Sequence, residues 1–189
     1  MNEQLLTAVL LDLQSQIERG YARRLKCIVA PMTRVRASYD GLAMERMKAY
    51  YRDVARGFAI VITEGTYTDE DASKGYDRQP GIANRRQADS RAPAATVISD
   101  HGSLAIMQLM HAGALSQRQE AGRIIAPSAV PPLGEMMPEH GGSGPYRLPS
   151  AMTTTDLIEV RKGLRSGGKT RTAIRIPWHR NPHRQWLFP

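Results

Sequence analysis

Three short apolar runs, at 27–32, 58–63 and 104–109, constrain this chain more than any other feature, because helix-patterned stretches separate them. Uninterrupted apolar runs closed by polar or turn residues read as strands buried on both faces, the habit of parallel sheets. Between the first two, residues 43–56 place Met44, Met47, Tyr51 and Val54 on one side of a helix, which Gly57 ends. Between the second and third, a polar, Gly-rich loop at 67–84 leads into a helix at 85–101 that carries Pro93 near its middle. The alternation strand, helix, strand, helix, strand predicts an α/β fold with a parallel sheet or barrel.

The flanks are less regular. Leu5, Val9, Leu10 and Leu13 give a helix at 4–19. Residues 112–150 are rich in Gly, Pro and Ser and read as a long excursion between elements. Thr153, Thr154, Thr155 and Asp156 form an N-cap cluster opening a helix with Leu157, Ile158 and Val160. From Arg165 to Lys169 apolar periodicity is lost. The chain therefore divides into a helical lead-in at 1–26, a β/α domain at 27–165, and a tail at 166–189 expected to be disordered.

Charge sharpens that division. The net formal charge is +8, and residues 161–189 hold eight Lys and Arg with no Asp or Glu. The rest of the chain carries eighteen charges of each sign, so its body is not a polyanion binder. No apolar run approaches the roughly 18 residues of a membrane span. Asp12 and Glu18 interrupt the N-terminal apolar patch, which argues against a secretory signal. A single cysteine, Cys27, rules out an internal disulfide and fits a reducing, cytoplasmic setting.

In parallel barrels, ligand-binding groups gather at the C-terminal ends of strands. The three strand ends here are Pro31-Met32-Thr33-Arg34, Thr63-Glu64-Gly65-Thr66 and Gln108-Leu109-Met110-His111. This set suits a flat heteroaromatic ring with amide-like edges. Gln108 offers both an acceptor and donors, the Thr33 hydroxyl donates to a carbonyl, and Gly65 lets a ring approach the backbone. His111 reads as a structural hydrogen-bonding histidine, and Met110 and Tyr76 as packing residues.

Six short motifs occur in order: Ala30-Pro31-Met32-Thr33-Arg34, Ile62-Thr63-Glu64-Gly65-Thr66, Gly75-Tyr76, Pro80-Gly81-Ile82, Gln108-Leu109-Met110-His111-Ala112-Gly113 and Ala126-Pro127-Ser128-Ala129. Together they resemble the old yellow enzyme, or NADH:flavin oxidoreductase, family over roughly residues 25–164. The resemblance implies an incomplete (β/α)₈ TIM barrel, about its first three β/α units, with FMN bound without a covalent link. It implies NAD(P)H as reductant and an activated alkene or related small molecule as acceptor, with no membrane or nucleic-acid partner. By the same resemblance Pro31 and Met32 present backbone to the flavin, and Thr33 bonds its carbonyl near the reactive nitrogen. Gly65 sits under that edge, and Gln108 pairs with the pyrimidine edge. Tyr76 matches the family's substrate-side tyrosine, and Met110 stands where many members carry tryptophan. No metal site is implied.

The resemblance stops near Arg165. The family continues into a fourth strand ending in a motif like Gly-Ile-Glu-Ile-His-x-Ala-Asn-Gly-Tyr, whereas this chain reads Trp178-His179-Arg180-Asn181-Pro182-His183-Arg184-Gln185-Trp186-Leu187-Phe188. Shifting the reading frame by one base at Trp178-His179 forces glycine. The shifted codons that follow permit Ile, Glu, Ile, His, Thr, Ala, Asn, Gly and Tyr in that order. The tail is accordingly expected to be an out-of-frame translation. Three strands do not close an eight-stranded barrel, and barrel phosphate sites usually follow strands seven and eight. Weak FMN binding and little ene-reductase activity are expected of these residues alone. The alternative is a non-enzymatic binder of single-stranded nucleic acid, using Arg180 and Arg184 interleaved with Trp178 and Trp186.

Overall fold

The first strand, β1 (Leu25–Val29), begins and ends earlier than its apolar run. Pro31 has no N–H to give a ladder, and the chain leaves the sheet before reaching it. The computed structural model describes residues 25–118 and 122–173. The helix expected at 4–19 lies outside the described residues, as do Trp178, Arg180, Arg184 and Trp186.

Helix α1 (Glu45–Ala55) buries Met47, Tyr51 and Ala55. Strand β2 (Phe58–Tyr67) runs well past Thr63, because Thr66 and Tyr67 pair with Leu109 and Met110 of β3 (Leu104–Met110). Helix α2 (Arg85–Asp100) is capped by Asn84, whose side chain accepts the Gln87 amide at 2.9 Å. Pro93 is tolerated in its middle because it sits on the exposed face. The Asp89 carbonyl it strips of a donor belongs to an exposed residue, open to solvent.

The three strands form one parallel sheet in the order β1-β2-β3. Helices α1 and α2 cover one face, closing a core of Met47, Tyr51, Val61, Ile98 and Ala105. The opposite face carries Ile60 and Leu104, flanked by the half-buried Ile62 and Ile106, and Ile28 beside them is 54% exposed. The expected strand–helix alternation is therefore present, with all strand C-termini at one end.

After β3 the chain makes the expected excursion, built from two 3₁₀ turns (Gly113–Leu115 and Pro138–His140) and a two-residue parallel pairing of β4 (Ile125–Ala126) with β5 (Ser150–Ala151). Arg123 reaches both Asp71 and Asp156 at 2.7 Å, tying the excursion to the loop after β2 and to the last helix. That helix, α3 (Thr154–Ala173), opens on a reciprocal cap: the Thr153 amide donates to Asp156 Oδ2, and the Asp156 amide donates to Thr153 Oγ1.

One boundary differs from the sequence expectation. The helix does not stop near Arg165 but continues to Ala173. The stretch lacks apolar periodicity because close approach, not large side chains, docks it. A Cβ on Gly163 would lie 3.2 Å from Thr68 Oγ1, and one on Gly167 would lie 3.2 Å from Ile82 Cγ2 and 3.4 Å from Leu109 Cδ1. Among the described residues no helix is long and apolar enough to cross a membrane, and no group of three or more His, Cys, Asp or Glu is placed to hold a metal.

Candidate functional site

The C-terminal end of the sheet is organised by a bulge in β2. Thr63 pairs with Met107 and Thr66 with Leu109, so Glu64 and Gly65 together oppose the single residue Gln108. The bulge puts two consecutive side chains into the helix layer. Thr63 Oγ1 accepts from Arg91 Nη2 of α2 at 3.0 Å, while Glu64 Oε1 accepts from the Tyr51 hydroxyl of α1 at 3.3 Å. The main-chain groups of Glu64 are taken by side chains: its N–H donates to Tyr51 Oη at 3.0 Å, and its carbonyl accepts from Thr66 Oγ1 at 3.1 Å. Gly65 is thereby turned toward β3. A Cβ there would stand 3.1 Å from Met110 Cγ and 3.3 Å from Gln108 Oε1, with Met110 Sδ closer still. The structure thus brings Gly65, Gln108 and Met110 into one cluster, with the Gln108 amide exposed.

Pro31, Met32 and Thr33 lie on the turn that follows β1, and Met32 is 59% exposed. Thr33 Oγ1 accepts a long bond, 3.4 Å, from the Tyr76 hydroxyl. Burial pushes the Tyr76 phenol up to about 12, so it keeps its proton at neutral pH and donates. Its ring stacks on His140 from the excursion, with centroids 4.9 Å apart. Next to it, Gln79 takes the Gly75 amide on Oε1 at 2.7 Å and donates Nε2 to the Gly65 carbonyl at 3.1 Å. Thr33 is therefore linked to Gly65 through Tyr76, Gly75 and Gln79. Tyr76, expected on the substrate side, turns its hydroxyl to Thr33.

His111 accepts the Gly113 amide on Nδ1 at 3.1 Å, which leaves its proton on Nε2. Burial lowers its pKa and keeps the ring neutral. Nε2 is buried and meets no partner among the described residues, as do Nε and Nη1 of Arg91, a residue only 3% exposed. Sequence reasoning gave Tyr51 only a place on the packed face of its helix and passed over Gln79, Arg91 and His140. Only Arg91 left a signal: it interrupts the buried stripe Ala88, Ala94 and Ile98 of α2.

Burial raises the pKa of the Glu64 carboxyl, against smaller opposing effects from the Arg34 amide, Arg91 and Tyr51. The sign for stability follows. A carboxyl whose folded value lies above its ordinary 4.5 contributes stability that is complete below 4.5 and lost as pH rises through the folded value. Glu64→Gln removes that loss. Urea melts of the variant and the native chain should differ by a constant amount below pH 4.5 and move in the variant's favour as pH rises to 7. A difference that moves the other way would show that Glu64 is held as a stabilised anion.

The model of the NADH:flavin oxidoreductase / NADH oxidase family matches residues 23–164 of this chain. The chain belongs to that family of oxidoreductases. It is 28% identical over 155 residues to an NADPH dehydrogenase of Geobacillus sp. (strain WCH70), covering 80% of this chain and 41% of that protein. It is 30% identical over 126 residues to an NADH:fumarate oxidoreductase of Klebsiella pneumoniae (strain 342), covering 65% of this chain and 14% of that protein. Among solved structures, the old yellow enzyme homologue from Zymomonas mobilis superposes with a TM-score of 0.66 at 26% identity, over 79% of this chain and 41% of its own. Morphinone reductase shares the fold, with a TM-score of 0.69 at 23% identity over 79% of this chain and 41% of its own. The family member described here thus spans less than half the length of these relatives.

Proposed function

We propose that these residues form the ring-binding part of an FMN-dependent NAD(P)H oxidoreductase of the ene-reductase type, on the first three β/α units of an eight-fold barrel. The observation that carries this reading is the cluster at the bulge: Gly65, bare of a side chain, beside the exposed Gln108 and linked to Thr33 through Gln79, Gly75 and Tyr76. The donor set suits an isoalloxazine edge. Gln108 supplies an acceptor and two donors for the pyrimidine side, and Thr33 supplies a hydroxyl proton for a ring carbonyl. Pro31 and Met32 offer main chain on the exposed turn, and Gly65 leaves room under the edge. FMN, when bound, supplies two-electron chemistry between a nicotinamide and an activated C=C bond. The chain's own part is to orient the ring and to adjust its electrostatic surroundings through Thr33, whose hydroxyl Tyr76 directs.

These residues touch the ring and not the phosphate, whose site in barrels follows strands seven and eight. FMN affinity of the 189 residues alone is therefore expected in about the millimolar range, with ene-reductase turnover correspondingly low. An FMN titration of the ¹⁵N-labelled chain should move the amides of Thr33, Gly65 and Gln108 together. Absence of such shifts at saturating FMN, or shifts confined to other residues, would refute the reading. A purified chain that stays yellow through gel filtration would refute the expected weakness.

A further inference from the structure

Between Val29 and Ala37 the chain carries the candidate ring-binding residues Pro31, Met32 and Thr33, yet almost nothing regular holds it. β1 ends at Val29, and its last pair with β2 is Val29 with Val61. The next backbone bond outside the strand is from the Ala37 amide to the Arg78 carbonyl. Beside the turn lies a half-open pocket of about 250 Å³, lined by Arg34, Arg36, Arg46, Met47, Tyr50 and Glu64, and across it Arg46 Nε donates to the Arg36 carbonyl at 3.0 Å. The turn is also strained. Val35 has φ +52°, a left-handed conformation that a β-branched residue adopts only when its surroundings impose it.

We infer that Glu64 is the positioning residue that imposes this turn. Its Oε2 accepts the Arg34 amide at 3.2 Å, among the described residues the one side-chain bond that reaches the main chain between Thr33 and Val35. Its other oxygen is fixed by the Tyr51 hydroxyl, and Tyr51 in turn holds the Glu64 amide. Glu64 is 1% exposed, a costly place for an ionisable group, which needs such bonds to be tolerated. The clamp is completed from α1, where the Arg34 guanidinium lies 3.8 Å over the Tyr50 ring, and Tyr50 packs edge-on against Tyr51 at 5.2 Å.

The geometry has a direct consequence for the site. Glu64 is bonded along the chain to Gly65, and Arg34 to Thr33. The Glu64–Arg34 bond therefore ties two strand ends directly where the sheet ladder no longer does, beside the longer link through Tyr76, Gly75 and Gln79. The bulge that aims Glu64 at α1 is the same one that turns Gly65 toward Gln108. Holding the turn and clearing room at Gly65 are two results of one inserted residue. The link to the ring rests on the FMN reading given above; the clamp itself does not.

Amide hydrogen exchange on the full chain tests the clamp without FMN. In Glu64→Ala the Arg34 amide should exchange at least about tenfold faster, equivalent to about 1.4 kcal/mol of lost protection, while Val61 and Ile106 amides keep theirs. Glu64→Gln, which retains an acceptor at that point, should restore Arg34 protection to within about threefold. Unchanged Arg34 exchange in Glu64→Ala, or equal loss in Glu64→Gln, overturns the proposal. If Glu64→Ala does not fold, the Gln variant and Glu64→Leu carry the same comparison. Adding FMN separates the two ideas. Loss of Arg34 protection with Thr33 and Gly65 shifts as large as in the native chain keeps the FMN reading and overturns the positioning role. Loss of protection with no FMN shifts in any chain keeps the clamp and overturns the FMN reading.

Discussion

Gly81→Ala is expected to destabilise the chain by about 1–3 kcal/mol, the cost of forcing a methyl into a full interior. An added Cβ would stand 2.6 Å from both Tyr67 Cε2 and Gln87 Oε1, well inside van der Waals contact. Neither neighbour is free to yield. Gln87 donates to the Tyr67 hydroxyl at 2.6 Å and to the Asp40 carbonyl at 2.9 Å, and accepts the Ala83 amide at 2.9 Å. The backbone is equally held. The Gly81 amide donates to the Gly41 carbonyl, and on either side Pro80 and Ile82 bond the main chain of Tyr67. Gly57→Ala is the control, because a Cβ there meets nothing within 4 Å; its effect should stay within about 0.5 kcal/mol. Urea denaturation of both variants checks the contrast, and equal midpoints would mean that the loop after β2 relaxes around the methyl.

That loop shows where the sequence was legible and where it was not. Six residues of apolar run are enough to mark a strand, and the order of strands and helices followed from that marking; the first run was expected to be buried, yet Cys27 and Ile28 are exposed. The Pro80-Gly81-Ile82 motif was visible as a resemblance, but its reason was not, because the reason is Tyr67 and Gln87, which lie on different elements. The sequence marked 67–84 only as a polar, Gly-rich loop. Most of it is buried, and several of its polar groups bond one another: Ser73 Oγ accepts the Thr68 and Asp69 amides, and Gln79 joins Gly75 to Gly65. Composition reports polarity but not whether the partners are water or protein. The strand ends Thr33, Gly65 and Gln108 were readable from position alone, since residues after an apolar run fall at the mouth of a parallel sheet. The bulge that sets their mutual geometry was not, because it arises from a register difference between β2 and β3 that neither strand encodes by itself. Likewise, nothing in the tail pattern announced that Gly163 and Gly167 would dock α3 by close approach.

Tyr51→Phe should cost about 2–4 kcal/mol, more than a lost surface hydroxyl, although it removes one atom and opens no sizeable cavity. The Tyr51 oxygen has two duties: it accepts the Glu64 amide at 3.0 Å and donates to Glu64 Oε1 at 3.3 Å. Both partners are buried and, being at the bulge, have no ladder alternative. A buried donor or acceptor left unpaired costs about 1–3 kcal/mol each, and a carboxylate sits at the upper end. Deleting the hydroxyl leaves one of each. Tyr50→Phe is the matched control, since it leaves the ring under Arg34 in place and disturbs neither Glu64 bond; it should change stability by less than about 0.5 kcal/mol. The pH dependence separates causes. The Tyr51 proton supports the ionised form of Glu64, so without it the carboxyl is driven further up and holds its proton to higher pH. The deficit of Tyr51→Phe should therefore be smaller at pH 4, where Glu64 is protonated in both chains, than at pH 7. Equal deficits at the two pH values would assign the loss to the Glu64 amide alone and leave the carboxyl without a part in it.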